Sequence, residues 1–278
     1  MELTSFGDRL ARGNYELHSK FDRAVNFFTP DSTASLAAVV NPEIGSGPAN
    51  IIIRGLDLAK VESLTIADEY LLLDNTRFDL EDSLCFTSTN DTRGGDIAEL
   101  DRNLPILQAC LLETAPPQSL AFLLGDKLGT NFSTVFMKQF VSRIRLGVER
   151  LFTADSIGGA KCLRGTGFGL TPSGDDYICG HLIALNLIHK LTGRDLTSTI
   201  HAISQVAHGN NPMSNAFLTC AQNGWVSEKF KDLISTLLFY GEEDVCRCAR
   251  ELCAVGATSG TDQAIGFLMT IRGRTLWS

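Results

Sequence analysis

The chain has 278 residues, of which 44% are hydrophobic and 20% are charged, and its formal net charge is −8. This apolar content excludes a disordered chain and is enough for one large domain or two modest ones. The acidic balance and the lack of a basic cluster argue against nucleic acid or an anionic membrane surface as a partner.

The start of the chain carries no targeting signal that we recognise. Residues Met1–Asp8 lack the basic start and the apolar core of a signal peptide, and no apolar run in the sequence reaches the length of a membrane span. We therefore expect a cytoplasmic protein. Most of the eight cysteines lie in apolar helical patterns, so we expect buried free thiols.

The first third of the chain has the pattern of a β-rich domain. Short apolar runs alternate with clusters of Pro, Gly, Asn and Ser, a spacing that is typical of a small barrel or sandwich. The predicted strands are Ala24–Thr29, Ser35–Val40, Asn50–Arg54, Tyr70–Leu73 and Leu84–Thr87. The most polar stretch, Asn90–Asp96, predicts a boundary, so we assign residues 1–95 to this domain.

The pattern becomes helical after this boundary. Apolar residues recur at helical spacing in a series of segments, which predicts an α-helical domain over residues 96–278. The predicted fold class is therefore α+β. Besides the helix that follows a glycine-rich loop, the predicted helices are Ile97–Glu113, Leu120–Leu128, Asn131–Phe152, Leu196–Ala207, Met213–Cys220, Glu228–Phe239, Glu242–Ala254 and Asp262–Ile271.

The glycine-rich loop occupies residues 164–176, with the sequence RGTGFGLTPSGDD. Three alternating glycines let the backbone adopt positive φ or pass close to a ligand. Ser173 and Asp176 have the spacing of a capping box and predict the start of a largely apolar helix. The first turn of such a helix presents N–H groups that bind anions, carbonyls or amides.

The same pattern recurs 86 residues later. Ser173-Gly-x-Asp-x-x-x-Gly-x-Leu182 matches Ser259-Gly-x-Asp-x-x-x-Gly-x-Leu268 without a gap. Because glycine inside a helix is unfavourable, the two glycines in register, Gly180 and Gly266, predict that the two helices pack closely there. We expect a pseudo-symmetric pair of helix N-termini facing one cleft.

Several polar residues near these helix starts are candidates for a site. Asp175, Asp176 and Asp262 are the candidate catalytic residues. A guanidinium can hold a carboxylate or phosphate with two hydrogen bonds, which makes Arg164 a candidate anion ligand. The candidate substrate-binding residues are Arg164, Gly165, Gly167, Gly169, Thr171, Ser173, Gly174, Ser214, Asn215, Thr258, Ser259 and Gly260.

Two chemistries fit these residues, and a third interpretation needs no ligand at all. The aspartates could hold Mg²⁺ that bridges to a phosphate or water, or they could accept hydrogen bonds from a ligand's N–H groups while backbone N–H groups hold its carboxylate. The alternative is that each Ser-x-x-Asp pair only caps a helix. A Walker loop is excluded because no Lys-Ser/Thr follows the glycines, and the G-x-G-x-x-G dinucleotide motif is not met. No spacing suggests a His-based metal site, and no covalent nucleophile is evident.

The loop and four further segments resemble a bacterial family of uncharacterised domains. The residues that carry the resemblance are Gly167–Asp176, Ser214–Leu218 and Gly256–Asp262, with weaker similarity in Ala24–Thr29 and Gly45–Pro48. The family includes the AllH-type subunit of the oxamate carbamoyltransferase of anaerobic allantoin and oxalurate breakdown. The resemblance implies a subunit of an enzyme that transfers a carbamoyl group between carbamoyl phosphate and oxamate, with other subunits as partners. The Ser-x-Arg-Thr-Arg phosphate motif of ordinary carbamoyltransferases is missing.

Two other functions remain open at the level of sequence. One is a Mg²⁺-dependent hydrolase of phosphorylated or ADP-ribosyl substrates, since helical enzymes of that kind also place aspartates at helix starts. The other is a non-catalytic subunit that binds a metabolite or serves as a scaffold.

Overall fold

The computed structural model describes residues 1–31, 34–125 and 132–273. The described residues divide into two compact units. One comprises Met1–Asn90 and Trp225–Lys229, and the other comprises Asp91–Gly224 and the chain from Phe230 on. The first is built on a β-sheet and the second on α-helices, which confirms the predicted α+β class.

The first unit contains a nine-stranded sheet that curls into a half-barrel. Its strand order is β8-β7-β6-β2-β3-β4-β5-β1-β9, and all pairs are antiparallel except β4/β5 and β1/β9, which are parallel. The strands are β1 (Glu2–Gly7), β2 (Gly13–Phe21), β3 (Ala24–Phe28), β4 (Leu36–Val40), β5 (Asn50–Arg54), β6 (Leu64–Ile66), β7 (Tyr70–Leu73), β8 (Thr76–Asp79) and β9 (Leu84–Phe86).

The core of this unit is formed by the apolar side of the curled sheet. Residues Phe27, Val39, Ile51, Leu64 and Leu71 are almost fully buried in it. They come from five strands, and β-branched and aromatic side chains of this kind suit a pleated, buried surface. The segment Trp225–Lys229 belongs to the same unit and joins it through a backbone hydrogen bond, in which Val226 N donates to Ser88 O over 2.9 Å.

Helices make up the second unit, and one of them, Glu228–Phe239, begins in the segment assigned to the first unit. Their bounds are α1 (Ile97–Thr114), α2 (Val135–Leu151), α3 (Ser156–Leu163), α4 (Ser173–Thr192), α5 (Thr197–Ala207), α6 (Pro212–Gln222), α7 (Glu228–Phe239), α8 (Glu242–Cys253) and α9 (Ser259–Arg272). The predicted helix Leu120–Leu128 is a short 3-10 helix over Leu120–Leu123, and its end lies outside the described residues, as does the first residue of the predicted helix Asn131–Phe152. None of the described helices combines the length and apolar character needed to cross a bilayer.

The centre of this unit is α4, which is buried along nearly its whole length. Leu182, Ala184 and Leu185 are fully shielded from solvent, and α9 packs beside α4 with Ile265 and Leu268 equally buried. A helix that is apolar on all sides must be surrounded by other elements. The glycine-rich loop is therefore attached to the most deeply buried helix of the unit.

One expectation about the cysteines is wrong. Cys110 of α1 and Cys246 of α8 are joined by a disulfide. The other six cysteines are free thiols, of which Cys179, Cys248 and Cys253 are buried and Cys85 is exposed. The two helices pack side by side, which brings the Cα atoms of the pair to 5.6 Å, within the range that a disulfide bridges. Cys110 is buried and Cys246 is half-buried, and helical periodicity in the sequence does not show that the two residues meet.

Candidate active site

The glycines of the repeat are the points at which α4 and α9 touch. A Cβ atom at Gly180 would collide with the carbonyl oxygen of Gln263, and a Cβ atom at Gly266 would collide with that of Tyr177. These two contacts are equivalent under the repeat, because Gln263 corresponds to Tyr177 and Gly266 to Gly180. The predicted close packing of the two helices is therefore confirmed.

The two helices run parallel, with their first turns side by side. Residues near the start of α4 contact residues near the start of α9, and later residues of α4 contact later residues of α9. Thr171 Oγ1 lies 2.9 Å from Ser259 Oγ at the start, and His181 Nδ1 lies 2.7 Å from Thr270 Oγ1 further along. This arrangement brings the positive ends of two helix dipoles, and the acidic residues of both first turns, to one place.

The loops that lead into the two helices share a hydrogen-bond pattern, but the first loop is three residues longer. The extra length falls within the glycine run. Gly167 has φ of 135° there, and any side chain on it would collide with Ser173 N. In the loop before α4, Thr166 N donates to Leu163 O (2.9 Å) and Gly174 N donates to Thr166 O (2.7 Å). In the loop before α9, Val255 N donates to Leu252 O (3.0 Å) and Gly260 N donates to Val255 O (3.1 Å).

The predicted capping boxes are wrong. The residue before α4 is Pro172 and the residue before α9 is Thr258, and neither helix has a side-chain capping bond. Instead, Pro172 O accepts the N–H groups of Asp175 and Asp176. Of the acidic side chains in the first turn of α4, Asp176 contacts Gln263 of the neighbouring helix, whereas Asp175 contacts the preceding loop at Gly165.

Asp176 joins the two helices through its carboxyl group. Its Oδ2 accepts a hydrogen bond from Thr171 Oγ1 over 3.0 Å, and its Oδ1 accepts one from Gln263 Nε2 of α9 over 3.1 Å. Burial raises the pKa of Asp176 to about 7, and these hydrogen bonds, together with one from Ser259, only partly oppose the shift. Asp176 is thus a buried acid that titrates near neutrality.

Asp262 occupies the equivalent position on α9. Its Oδ1 accepts the N–H of Leu120 over 2.7 Å, which fixes the 3-10 helix against α9. The hydroxyl groups of Ser173 and Thr258 lie near enough to favour the charged form, yet no described residue completes a hydrogen bond with Oδ2. Burial raises the pKa of Asp262 to about 8, and the neighbouring Asp176 carboxylate adds to the shift.

A cleft of about 340 Å³ opens beside the first turn of α4. This volume suits a small molecule. One side is formed by the glycine loop and α4, and the other by the end of α5, the following loop and the first turn of α6. The lining residues are Arg164, Gly165, Asp175, Ala207, His208, Gly209, Asn210, Asn211, Ser214 and Asn215.

Asp175 is the acidic residue of this lining. Its Oδ1 accepts the N–H of Gly165 over 2.7 Å, which holds the carboxyl group against the glycine loop. No described residue donates a hydrogen bond to its other oxygen. Burial raises the pKa of Asp175, while the Gly165 N–H, the Ser214 hydroxyl and the charge of Arg164 act in the opposite direction.

Arg164 is the cation of the lining. Its Nη1 donates to Val206 O and to His208 O, both at 3.3 Å, so one end of the guanidinium is tied to the end of α5. Its Nε and Nη2 make no hydrogen bond with a described residue. The side chain is therefore held in place while one edge of the guanidinium remains able to bind an anion.

Two asparagines hold the opposite side of the cleft. Asn215 accepts the N–H of Gly209 and donates to its carbonyl, both over 2.9 Å. Asn211 caps α6 by accepting the N–H groups of Met213 and Ser214. Its Nδ2 also donates to Leu170 O over 2.7 Å, which links α6 to the glycine loop.

Ser214 lies in the first turn of α6 with only 3% of its surface exposed. Its Oγ makes no hydrogen bond with a described residue, although it lies close enough to Asp175 to favour the ionised carboxylate. A buried hydroxyl without a partner is uncommon, since most buried polar groups are satisfied. Ser214 thus lies in the lining beside Asp175, with its hydroxyl group shielded from solvent.

The structure separates the sequence-derived candidates into two groups. Five of them line the cleft: Arg164, Gly165, Asp175, Ser214 and Asn215. The others lie in the loop or at the α4–α9 contact: Gly167, Gly169, Thr171, Ser173, Gly174, Asp176, Thr258, Ser259, Gly260 and Asp262. The second helix N-terminus at the cleft belongs to α6 rather than α9.

Asn211 is a lining residue that we did not single out from the sequence. An Asn followed by Pro at the start of an apolar helix is a recognisable capping signal, and it identifies this position as an N-cap. The contact with Leu170 carries no such signal, because it joins residues that are distant in sequence.

The aspartates do not converge as a metal-binding cluster. Among the described residues, no group of three or more His, Cys, Asp or Glu side chains is arranged to hold a metal ion. Asp175, Asp176 and Asp262 each make their hydrogen bonds to different partners.

Comparison with known families agrees with the resemblance seen in the loop. Residues 163–271 match the family model of the oxamate carbamoyltransferase subunit AllH. The matched segment runs from the end of α3 to near the end of α9, so it contains the whole cleft and all three aspartates. The predicted relation to AllH is therefore confirmed over this segment, and residues 1–162 lie outside the match. Searches of the curated proteins and of the solved structures found no match.

Proposed function

We propose that the protein is a subunit of an oxamate carbamoyltransferase-like enzyme, and that its cleft binds a small carboxylate or carbamoyl substrate. The observation that carries this proposal is the AllH match over residues 163–271, because it coincides with the helices and loops that form the cleft. The name of the matched family describes a subunit, so we also propose that other subunits complete the enzyme.

The lining of the cleft has the polarity that such a substrate requires. The unpaired edge of the Arg164 guanidinium can bind a carboxylate or phosphate with two hydrogen bonds. Asp175 lines the cleft and accepts hydrogen bonds from N–H groups. A ligand with an anionic end and an N–H end therefore finds a partner for each end.

The roles of the three aspartates differ under this proposal. Asp175 contacts the substrate, because it lines the cleft. Asp176 and Asp262 do not line it, and we assign them a positioning role: Asp176 ties the first turn of α4 to α9, Asp262 ties the 3-10 helix to α9, and the helix start that carries Asp175 is thereby fixed. Catalysis would then depend on positioning and electrostatic stabilisation.

The test is a transferase assay on the chain purified together with its partner subunits, with carbamoyl phosphate and oxamate as substrates. Arg164→Gln removes the anion-binding edge, and we expect KM for the anionic substrate to rise by about 10- to 100-fold, the value of a charge-assisted hydrogen bond. The matched control is Arg143→Gln, because Arg143 is also exposed and also donates to a backbone carbonyl, Cys162 O, but lies outside the cleft.

Three outcomes are informative. A raised KM in Arg164→Gln alone supports the proposed substrate site. Equal activity of the two arginine variants would show that the cleft is not the substrate site. A complex that transfers no carbamoyl group would overturn the proposed function itself.

A further inference from the structure

We propose that copies of this chain assemble head to tail, with a basic patch on one copy bound to an acidic patch on the next. The basic patch is formed by α2 and by Phe168 of the glycine-rich loop. The acidic patch is formed by the end of α7 and the first turn of α8. All of these residues belong to the helical unit. The proposal concerns assembly and is independent of the substrate that the cleft binds.

The basic patch has an exposed apolar centre. Val135 and Phe136 at the start of α2 are exposed, Phe136 to 64%, and Phe168 is exposed to 49%. The rings of Phe136 and Phe168 lie 5.7 Å apart, and the Phe168 ring lies 5.6 Å from that of the buried Phe140. The inner side of this cluster is thus packed on the core, while its outer side is open to solvent. Adjoining exposed apolar side chains of this kind are typical of an interaction site.

The charge of α2 is opposite to that of the whole chain. The helix has four basic residues and one acidic residue, Glu149, which gives it a net charge of +3 in a chain of net charge −8. At 3.6 residues per turn, two of the cations lie on each side of the outer face that carries Val135. Arg150 also lies 3.8 Å from Asp155, so most of the positive charge comes from the other three. The four cations are exposed and are Lys138, Arg143, Arg145 and Arg150.

The acidic patch combines two exposed aromatic side chains with an acidic helix start. Phe239 is exposed to 41% and Tyr240 to 55%. Asn103 Nδ2 donates to Tyr240 O over 2.9 Å, which holds the turn between α7 and α8. Arg247 pairs with Asp244 over 3.0 Å, so the remaining two glutamates keep the patch negative. The acidic residues of the first turn are Glu242, Glu243 and Asp244.

The two patches fit each other better than either fits itself. A two-fold contact between two basic patches would bring cations together, and one between two acidic patches would bring carboxylates together, which is unfavourable. A contact between unlike patches pairs opposite charges and buries aromatic side chains, which contribute most of the binding energy in many interfaces. Within one copy, α2 packs on α3 whereas α8 packs on α1 and α9, and both patches remain exposed. Each copy therefore has one patch for each of two neighbours, as a ring or an open chain requires.

The contact reaches the loop that forms the cleft. Phe168 lies between Gly167 and Gly169, whose φ angles are 135° and 87°. Its ring is the only side chain in this three-residue segment. A neighbouring copy that covers Phe168 therefore restrains the glycine run, which begins at the cleft residue Gly165.

The experiment uses two variants of the full chain, each with one patch disabled, and measures mass by sedimentation equilibrium. Phe136→Ser disables the basic patch, and Tyr240→Ser disables the acidic patch. We expect the mass of the wild type to rise with concentration above the 30.2 kDa of one chain, and each variant alone to stay at that mass. In a mixture the two intact patches meet once, so a 1:1 complex of twice this mass forms and nothing larger. Each substitution should weaken its own contact at least about 10-fold.

Two further measurements locate the contact. In the mixture, amide exchange at residues 167–169 should slow in the Tyr240→Ser copy, whose basic patch is occupied, and stay unchanged in the Phe136→Ser copy. At about 1 M salt, where charges are screened beyond about 3 Å, we expect the dissociation constant of the mixed complex to rise at least about 10-fold. Exchange that is equal in both copies, or a dissociation constant that ignores salt, contradicts the assigned surfaces and overturns the proposal.

The matched control is Leu84→Ser, because Leu84 on β9 is also exposed to 64% but belongs to neither patch. This variant should assemble as the wild type does, and thermal melting of every variant verifies folding. A mixture that stays at the mass of one chain overturns the proposal, whether the wild type is a monomer or assembles through another surface. A wild type whose mass rises only when different subunits are added overturns it as well, and leaves the proposed function standing.

Discussion

Gly180 of α4 lies directly against the backbone carbonyl of Gln263 of α9, with no room for a side chain between them. Contacts of this kind bring two helix backbones closer than any other residue allows. They also explain why glycine is kept at a helical position where it is intrinsically unfavourable. The helix pair that carries Asp175, Asp176 and Asp262 is built around this contact.

Gly180→Ala tests the importance of that contact. The added methyl group must displace the α9 backbone, because the atom it meets is a carbonyl oxygen and not a flexible side chain. We expect the free energy of unfolding to fall by about 3 kcal/mol, the upper end of the usual cost of overpacking, despite the better helix propensity of Ala. Urea denaturation measures the change. Gly241→Ala is the control, since nothing lies within 4 Å of a Cβ atom there, and a loss of similar size in both variants would refute the interpretation.

The stability of the protein depends on pH through its buried carboxyl groups. Burial raises the pKa values of Asp176 and Asp262 from 3.8 to about 7 and about 8, so the folded state keeps protons that the unfolded state releases. This stabilisation is complete below about pH 4 and is lost as the pH rises toward 7 and 8. Each group contributes up to about 1.4 kcal/mol per pH unit.

The variant Asp262→Asn checks this contribution, because it keeps an acceptor for Leu120 N but cannot titrate. Between pH 5 and pH 7 we expect the stability of the variant to fall less steeply than that of the wild type. Urea denaturation curves at pH 5, 6, 7 and 8 give both slopes. Parallel slopes would mean that Asp262 is ionised in the folded protein throughout this range.

The side chain of Asn211 makes two sets of hydrogen bonds that can be removed separately by mutation. Its Oδ1 caps α6, and its Nδ2 holds the glycine loop through Leu170 O. Asn211→Asp keeps the cap and loses the link, whereas Asn211→Ala loses both, at a further cost of about 1 kcal/mol for the cap. We expect amide hydrogens of the glycine run to exchange faster in both variants. Unchanged exchange in Asn211→Asp would show that the link does not restrain the loop.

The disulfide between Cys110 and Cys246 predicts a definite thiol count. Alkylation of the unfolded, unreduced protein should modify six cysteines, and prior reduction should raise the number to eight. The disulfide closes a loop with a sequence separation of 136, so its loss in Cys246→Ser should lower the free energy of unfolding by about 4 kcal/mol. Eight reactive thiols before reduction would contradict the structure at this point.

The strands that could be predicted are those that carry a short apolar run in the sequence, whether buried, as β4, or exposed, as β9, and β1, β2, β6 and β8 were missed. All residues of β4, for example, are buried, and the sequence Leu36–Val40 is continuously apolar. The nine residues of β2 are mostly exposed, so its polar sequence gives no periodic signal, and β2 was missed although it pairs with two neighbours. Its place in the sheet is set by backbone pairing, which a pattern of side chains does not reveal.

The site could be predicted where it depends on local sequence. The glycine run, the two helix starts and the close helix contact follow from spacing alone, and the structure bears out the contact. The side chains that share the cleft come from separate segments, such as Asp175 on α4 and Ser214 on α6, and only packing brings them together. The sequence also suggests that Ser173 and Asp176 cap α4. In the structure both side chains are buried, and Asp176 accepts a hydrogen bond from Gln263 of α9.

The unequal loops before α4 and α9 bear on how many ligands one chain can bind. A perfect repeat would create two equivalent sites, one at each helix start. The extra three residues are found in the first loop only, and the position equivalent to Asp175 holds Thr261, which has no carboxylate. We therefore expect calorimetric titration to saturate at one ligand per chain, with the second helix start acting as the structural support of the first.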